Sequence, residues 1–93
     1  MVVGVLRLEF AIPEARSLKD RRRAVRSFKD RVSHRHNVSV AEIEDVEKHQ
    51  RAVVAVAMVS NDRRFADSCL CKIADEARLA RGLVLMDQGI EWL

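Results

Sequence analysis

A chain of 93 residues has room for one hydrophobic core, and with 48% apolar and 33% charged residues it lies well outside the disordered range. Two cysteines exclude a disulfide framework and fit a reducing compartment, and no stretch approaches the ~18 apolar residues of a membrane span. The net charge of +3 is modest, but residues 16–36 hold nine Lys or Arg against Asp20 and Asp30, while the rest of the chain holds eight basic residues against twelve acidic ones.

Residues 2–12 alternate, with Leu6, Leu8, Phe10 and Ile12 on one side and Arg7, Glu9 and Ala11 on the other, which predicts a half-buried strand. Arg7 and Glu9 also break the apolar run that a signal peptide would need, so a cytoplasmic protein is expected. Pro13 ends the strand, because it has no N–H to give the ladder.

Ser17 can accept from the open amides of a following turn, predicting a helix to about His36 that Asn37 closes in a left-handed conformation. At 100° per residue Leu18, Ala24, Val25, Phe28 and Val32 form its apolar stripe. Lys19, Arg23, Arg26 and Asp30 point away, and Arg22 and Lys29 flank the stripe. Arg21 projects beside the stripe, where it is expected to snorkel or to pair with a strand carboxylate such as Glu9.

Residues 38–46 and 50–59 read as a hairpin with the polar tip Glu47-Lys48-His49. Glu42, Glu44 and Asp45 mark the first arm as an edge strand, since charge there discourages further pairing. The second arm, A-V-V-A-V-A-M-V from 52 to 59, is apolar on both parities and predicts a central strand covered on both faces.

Asn61 or Ser60 is expected to cap a second helix, with Asp62 favourably placed against its dipole. Phe65, Ala66, Cys69, Ile73, Ala77 and Ala80 form its expected core stripe, and Gly82 its C′ residue. Residues 84–92 supply the last strand, with a bulge expected at Gly89. The order β-α-β-β-α-β with right-handed crossovers predicts one α+β, ferredoxin-like domain over residues 1–93, a four-stranded antiparallel sheet with two helices on one face.

The segment S-L-K-D-R-R (17–22) resembles the Ser-Leu-Lys-Glu-Lys-Arg signature of the YlxP family of small bacterial proteins with a ferredoxin-like fold. N-V-S-V-A-E (37–42), Q-R-A (50–52), V-S-N-D-R (59–63) and A-D-S (66–68) match in kind and spacing. At D-V-E-K-H (45–49) the chain departs from the family pattern, and His49 stands where an aromatic commonly ends the segment. The resemblance implies a setting among genes for translation initiation and ribosome maturation; it implies no catalytic residues.

Lys19, Arg22, Arg23, Arg26 and Lys29 are the candidate nucleic-acid-binding residues, spaced to meet successive phosphates of structured RNA, ribosomal RNA among them. An RNA-recognition sheet would need stacking aromatics on its central strands, and the chain has only Phe10, Phe28, Phe65 and Trp92, two of them assigned to helix stripes. Val3, Val5 and the 52–59 strand point instead to a homo-oligomeric or protein-interaction face on the second side of the sheet.

No enzyme, cofactor or small-molecule substrate is expected. Cys69 and Cys71 stand two apart on a helix, about 200° around its axis, so they cannot share a metal or a disulfide. His34 and His36 have the same geometry and would need His49 to complete a zinc site. The loop P-E-A-R-S (13–17) offers Arg16 but no glycine for a phosphate cradle.

Overall fold

Period-two alternation at the start of the chain produces the strand expected of it. The computed structural model describes residues 1–43 and 50–93, and β1 (Val2–Ala11) is followed by α1 (Leu18–Arg35), β2 (Ser39–Glu42), β3 (Arg51–Ser60), α2 (Arg63–Arg78) and β4 (Val84–Trp92). Among the described residues the strands form one antiparallel sheet in the order β2-β3-β1-β4, with both helices on one face: the ferredoxin-like arrangement. The expected ends of the hairpin, Glu44, Asp45 and the tip Glu47-Lys48-His49, lie outside the described residues. As far as it is described β2 is an edge strand, as expected, over Ser39–Glu42.

The core lies between the sheet and the helices. Leu6, Leu8, Phe10 and Ile12 are buried beside Val54, Val56 and Met58, and the helices close over them with Val25, Phe28, Val32, Leu70 and Ile73. Phe10 meets Phe28 edge to face, with ring centroids 5.2 Å apart, a geometry that adds about 1 kcal/mol to the burial itself. β3, expected to be central, is central.

Several local expectations are corrected. Leu18 opens α1 but stays exposed, and Arg21 takes the place in the buried stripe. Asn37 is not left-handed. His36 caps α1 in extended conformation (φ −132°, ψ 148°), with its amide donating to the Val32 carbonyl at 3.0 Å. In α2 the buried residues are Ala66, Leu70, Ile73, Ala74 and Ala77, a stripe rotated away from Phe65, which is 57% exposed, and from Cys69, which is half-buried.

Asp62, not Asn61 or Ser60, caps α2: its Oδ1 accepts from the amides of Arg64 (2.9 Å) and Phe65 (3.2 Å). Gly82 has the expected positive φ (81°), but α2 ends earlier, with Leu79 as its C-cap. The glycine sits instead in the turn that the Leu83 amide closes on the Ala80 carbonyl, where a left-handed residue is required. The β-bulge is not at Gly89, which pairs regularly with Arg7. The register shifts between Glu9 and Phe10, leaving Met86 as the extra residue where β4 enters the sheet.

Candidate nucleic-acid interface

The first helix is anchored at its start. Ser17 Oγ accepts from the Asp20 amide at 3.1 Å, and Asp20 Oδ2 in turn accepts from the Arg16 amide at 3.1 Å. Two amides are thereby satisfied, and the carboxylate stands at the positive end of the helix dipole.

Arg21, Val25, Phe28 and Val32 turn inward from this start. Arg21 is 5% exposed, and its Nε donates to the Arg51 carbonyl while Nη2 donates to Glu42 Oε2, each at 2.8 Å. One guanidinium thus fastens α1 to both β2 and β3. The expected partner Glu9 lies on the opposite face of the sheet, its side chain turned away from the helices, so the carboxylate comes from the edge strand beneath α1.

With the inner stripe so fixed, Lys19, Arg22, Arg23 and Arg26 emerge on the far side of α1. Together with Ser27 and Asp30 they line a shallow groove of about 470 Å³. They are linked by i,i+3 and i,i+4 steps, the spacing that makes side chains neighbours on a helix. Lys29, the fifth expected residue, is half-buried on the flank and lies outside this groove.

Among the described residues none of the five makes a side-chain hydrogen bond or ion pair, whereas Arg21, Arg35 and Arg78 do. Arg21 pairs with Glu42, Arg35 with Glu76 and Arg78 with Asp75. Asp30 is the one carboxylate in the groove.

The helix-free face of the sheet has a different chemistry. Val3, Val5, Ala55 and Ala57 are half-buried, Val59 is 63% exposed, and Ile43 borders them from the end of β2. Arg7 stands among them, with Asp87, Glu91, Ala55 and Ile43 around a hollow of about 390 Å³ that Gly89 leaves open. No aromatic ring lies on this face among the described residues. Phe10 and Trp92 point to the helix side, where Trp92 lies against Gly4 and beneath the Arg63 guanidinium, 4.7 Å from the ring centre.

A second cleft, about 500 Å³, opens where the C-terminal end of α1, the start of β2, the end of β3 and the first turn of α2 meet. Phe65, Val59, Met58 and Cys69 form its apolar side, and Arg35, His36, Asn37 and Asn61 are among its polar residues. The expected core position for Phe65 and capping role for Asn61 hid this cleft. The signal that could have found it is Asp62, a strong cap one residue later, together with Leu70 and Ala74, which complete an apolar stripe without Phe65.

His36 Nε2 meets Glu76 Oε2 at 2.5 Å, and His49 lies outside the described residues. Among the described residues no three His, Cys, Asp or Glu side chains are placed to hold a metal ion. Among them, too, no helix is long and apolar enough to cross a membrane.

Fold and surface define a two-layer ferredoxin-like α+β domain with a basic ridge on its first helix that makes no ion pair among the described residues. The chain belongs to DUF503, a family of proteins of unknown function, whose pattern matches residues 3–88. No curated protein sequence matches it.

Among solved structures it is similar to SnoaB, a cofactor-independent oxygenase from Streptomyces nogalater, with TM-score 0.53 and 9% identity over 99% of this chain and 90% of that one. A putative chlorite dismutase is similar with TM-score 0.56 and 14% identity, over 99% of this chain and 44% of the other. A C-terminal segment of the alpha subunit of aIF2 from Pyrococcus abyssi gives TM-score 0.52 and 18% identity, over 98% of this chain and 49% of the other. At these identities the likeness is one of fold.

Proposed function

We propose that the protein is a non-enzymatic binding module that seats the outer face of α1 on the phosphate backbone of structured RNA. The observation that carries this reading is the groove of Lys19, Arg22, Arg23 and Arg26, four cations on one helical ridge that have no ion-pair or hydrogen-bond partner for their side chains among the described residues. Arginine offers a planar fork of donors suited to phosphate oxygens, and it stays protonated, so this surface attracts a polyanion and supplies no general base. Lys29 borders the ridge as a fifth contact.

Contacts of this kind position a protein on RNA without reading its sequence. The YlxP-like segments, with their setting in translation and ribosome maturation, make ribosomal RNA the first RNA to test and a cytoplasmic location the natural one.

Four to five phosphate contacts predict that log Kd changes with log salt with a slope of about 4, or roughly a 250-fold loss of affinity between 50 and 200 mM salt. The triple variant Arg22→Glu, Arg23→Glu, Arg26→Glu is expected to lose nearly all binding to ribosomal RNA and most of the salt slope in filter-binding titrations. Equal affinity of variant and wild type would overturn the reading.

The helix-free sheet face supports a second role compatible with the first, self-association of two copies. Its apolar strip carries Arg7 beside Glu9, Asp87 and Glu91, a mixture of signs that suits an identical surface turned by a two-fold axis and not a polyanion. Sedimentation at high micromolar concentration tests it, and a monomer there would exclude it.

A further inference from the structure

Phe65 and Asn61 are left without a structural task. Phe65 is the most exposed aromatic of the chain, and among the described residues the Asn61 and Asn37 side chains make no hydrogen bond. All three line the cleft at the C-terminal end of α1. We infer that this cleft receives an unpaired nucleobase of the RNA strand whose phosphates lie along α1, an inference that rests on the RNA-binding reading.

The chemistry fits a base in three respects. A base has two flat faces, and the exposed ring of Phe65 beside Val59 gives one of them a stacking surface. Its edge carries donors and acceptors together, and a carboxamide such as that of Asn37 or Asn61 offers both. The volume, about 500 Å³, lies in the range of small-ligand sites.

The charges at the rim favour a base in a strand over a free nucleotide. Glu76 engages both basic side chains there, the Arg35 guanidinium at 3.3 Å and the His36 ring at 2.5 Å, and its own negative charge at the rim disfavours a lone phosphate. The groove of α1 holds four cations that make no ion pair among the described residues. From Arg26 to Arg35 is nine residues, about 14 Å along the helix, which about four stacked nucleotides would span.

The test uses a hairpin RNA with a blunt end and the same hairpin with a five-nucleotide unpaired purine tail containing 2-aminopurine. Wild type is expected to bind the tailed RNA about tenfold more tightly and to change the 2-aminopurine fluorescence. Phe65→Ala, Phe65→Leu and Asn61→Ala are expected to lose the tail preference while holding the blunt hairpin within about twofold of wild type. Phe65→Leu keeps an apolar side chain and removes only the ring.

Equal wild-type affinity for the two RNAs, or a Phe65→Ala protein that keeps the preference, overturns the base site and leaves the α1 reading standing. Failure to bind either RNA overturns both. Phe65-dependent binding of AMP without a tail preference assigns the cleft to a free nucleotide and overturns the strand.

Discussion

Gly4 sits on β1 where a Cβ would lie 2.7 Å from Trp92 Cζ3 and 2.9 Å from Leu70 Cδ1. Neither neighbour can retreat freely, since Leu70 is fully buried and Trp92 is held between β1 and Arg63. Gly4→Ala is therefore expected to cost about 1–3 kcal/mol in urea unfolding and to change the emission of the single tryptophan. Gly89 is the contrast: nothing lies within 4 Å of its Cβ position, so Gly89→Ala is expected to leave stability within about 1 kcal/mol or raise it slightly. A glycine that looks like a bulge in sequence is replaceable here, and one that looks like any strand residue is not.

At the scale of elements, the attachment of α1 turns on Arg21. Its charge is buried, with side-chain exposure of 6% against 26% for Glu42. Removing the carboxylate leaves a buried cation uncompensated, whereas removing the cation leaves Glu42 partly open to water. Glu42→Ala is thus expected to lose about 2–4 kcal/mol in chemical denaturation, and Arg21→Met clearly less, although it leaves the Arg51 carbonyl without its donor. If Arg21→Met proved the more damaging, the ion pair would not be what holds α1 to the edge strand.

The same elements show what was legible beforehand. The order of elements, the parity of β1, the Ser17 cap and the outward face of α1 follow from short-range pattern, and each was readable. Choices made between neighbours in space were not. Phe65 looked like core because one helical turn can be drawn through it, but packing against β1 and β3 selected Leu70 and Ala74. Glu9 and Glu42 are equally plausible partners for Arg21 until the edge strand is laid under α1. For the basic groove, the wheel put Arg22 and Lys29 alike on the flank of the stripe; the structure keeps Lys29 there and brings Arg22 into the groove, because a wheel drawn at 100° per residue cannot separate rim from groove.

Considered as a whole, the molecule carries its two candidate surfaces on opposite sides, the α1 ridge outside the helical layer and the apolar strip on the bare sheet. Strands about 4.8 Å apart at about 3.3 Å per residue, of 10, 4, 10 and 9 residues, give that face a projected area of roughly 500 Å², below the ~800 Å² per partner of a standard stable interface. A dimer built on it should be reversible. It would place two basic ridges at its far sides, and a long RNA could then engage both. Val5→Asp is expected to give a monomer in sedimentation and to weaken binding to long ribosomal RNA tenfold or more, with short-hairpin affinity unchanged. Identical sedimentation of the variant and wild type would remove the sheet face from consideration.

The central place of β1 has a kinetic consequence. Both of its ladders are long-range: Leu8 pairs with Val54 on one side, Gly4 with Trp92 on the other, and the Leu93 amide reaches the Val3 carbonyl at 2.9 Å. Forming β1–β4 closes a loop of nearly the whole described chain before its contacts repay the lost entropy, whereas β2–β3 closes a short one. On loop-closure grounds β1–β4 is therefore expected to pair after β2–β3, leaving the edge of β1 that β4 will occupy open until it does. In that state the buried face of β1 is covered on one side only, and the time spent there sets how readily chains meet one another before they are finished.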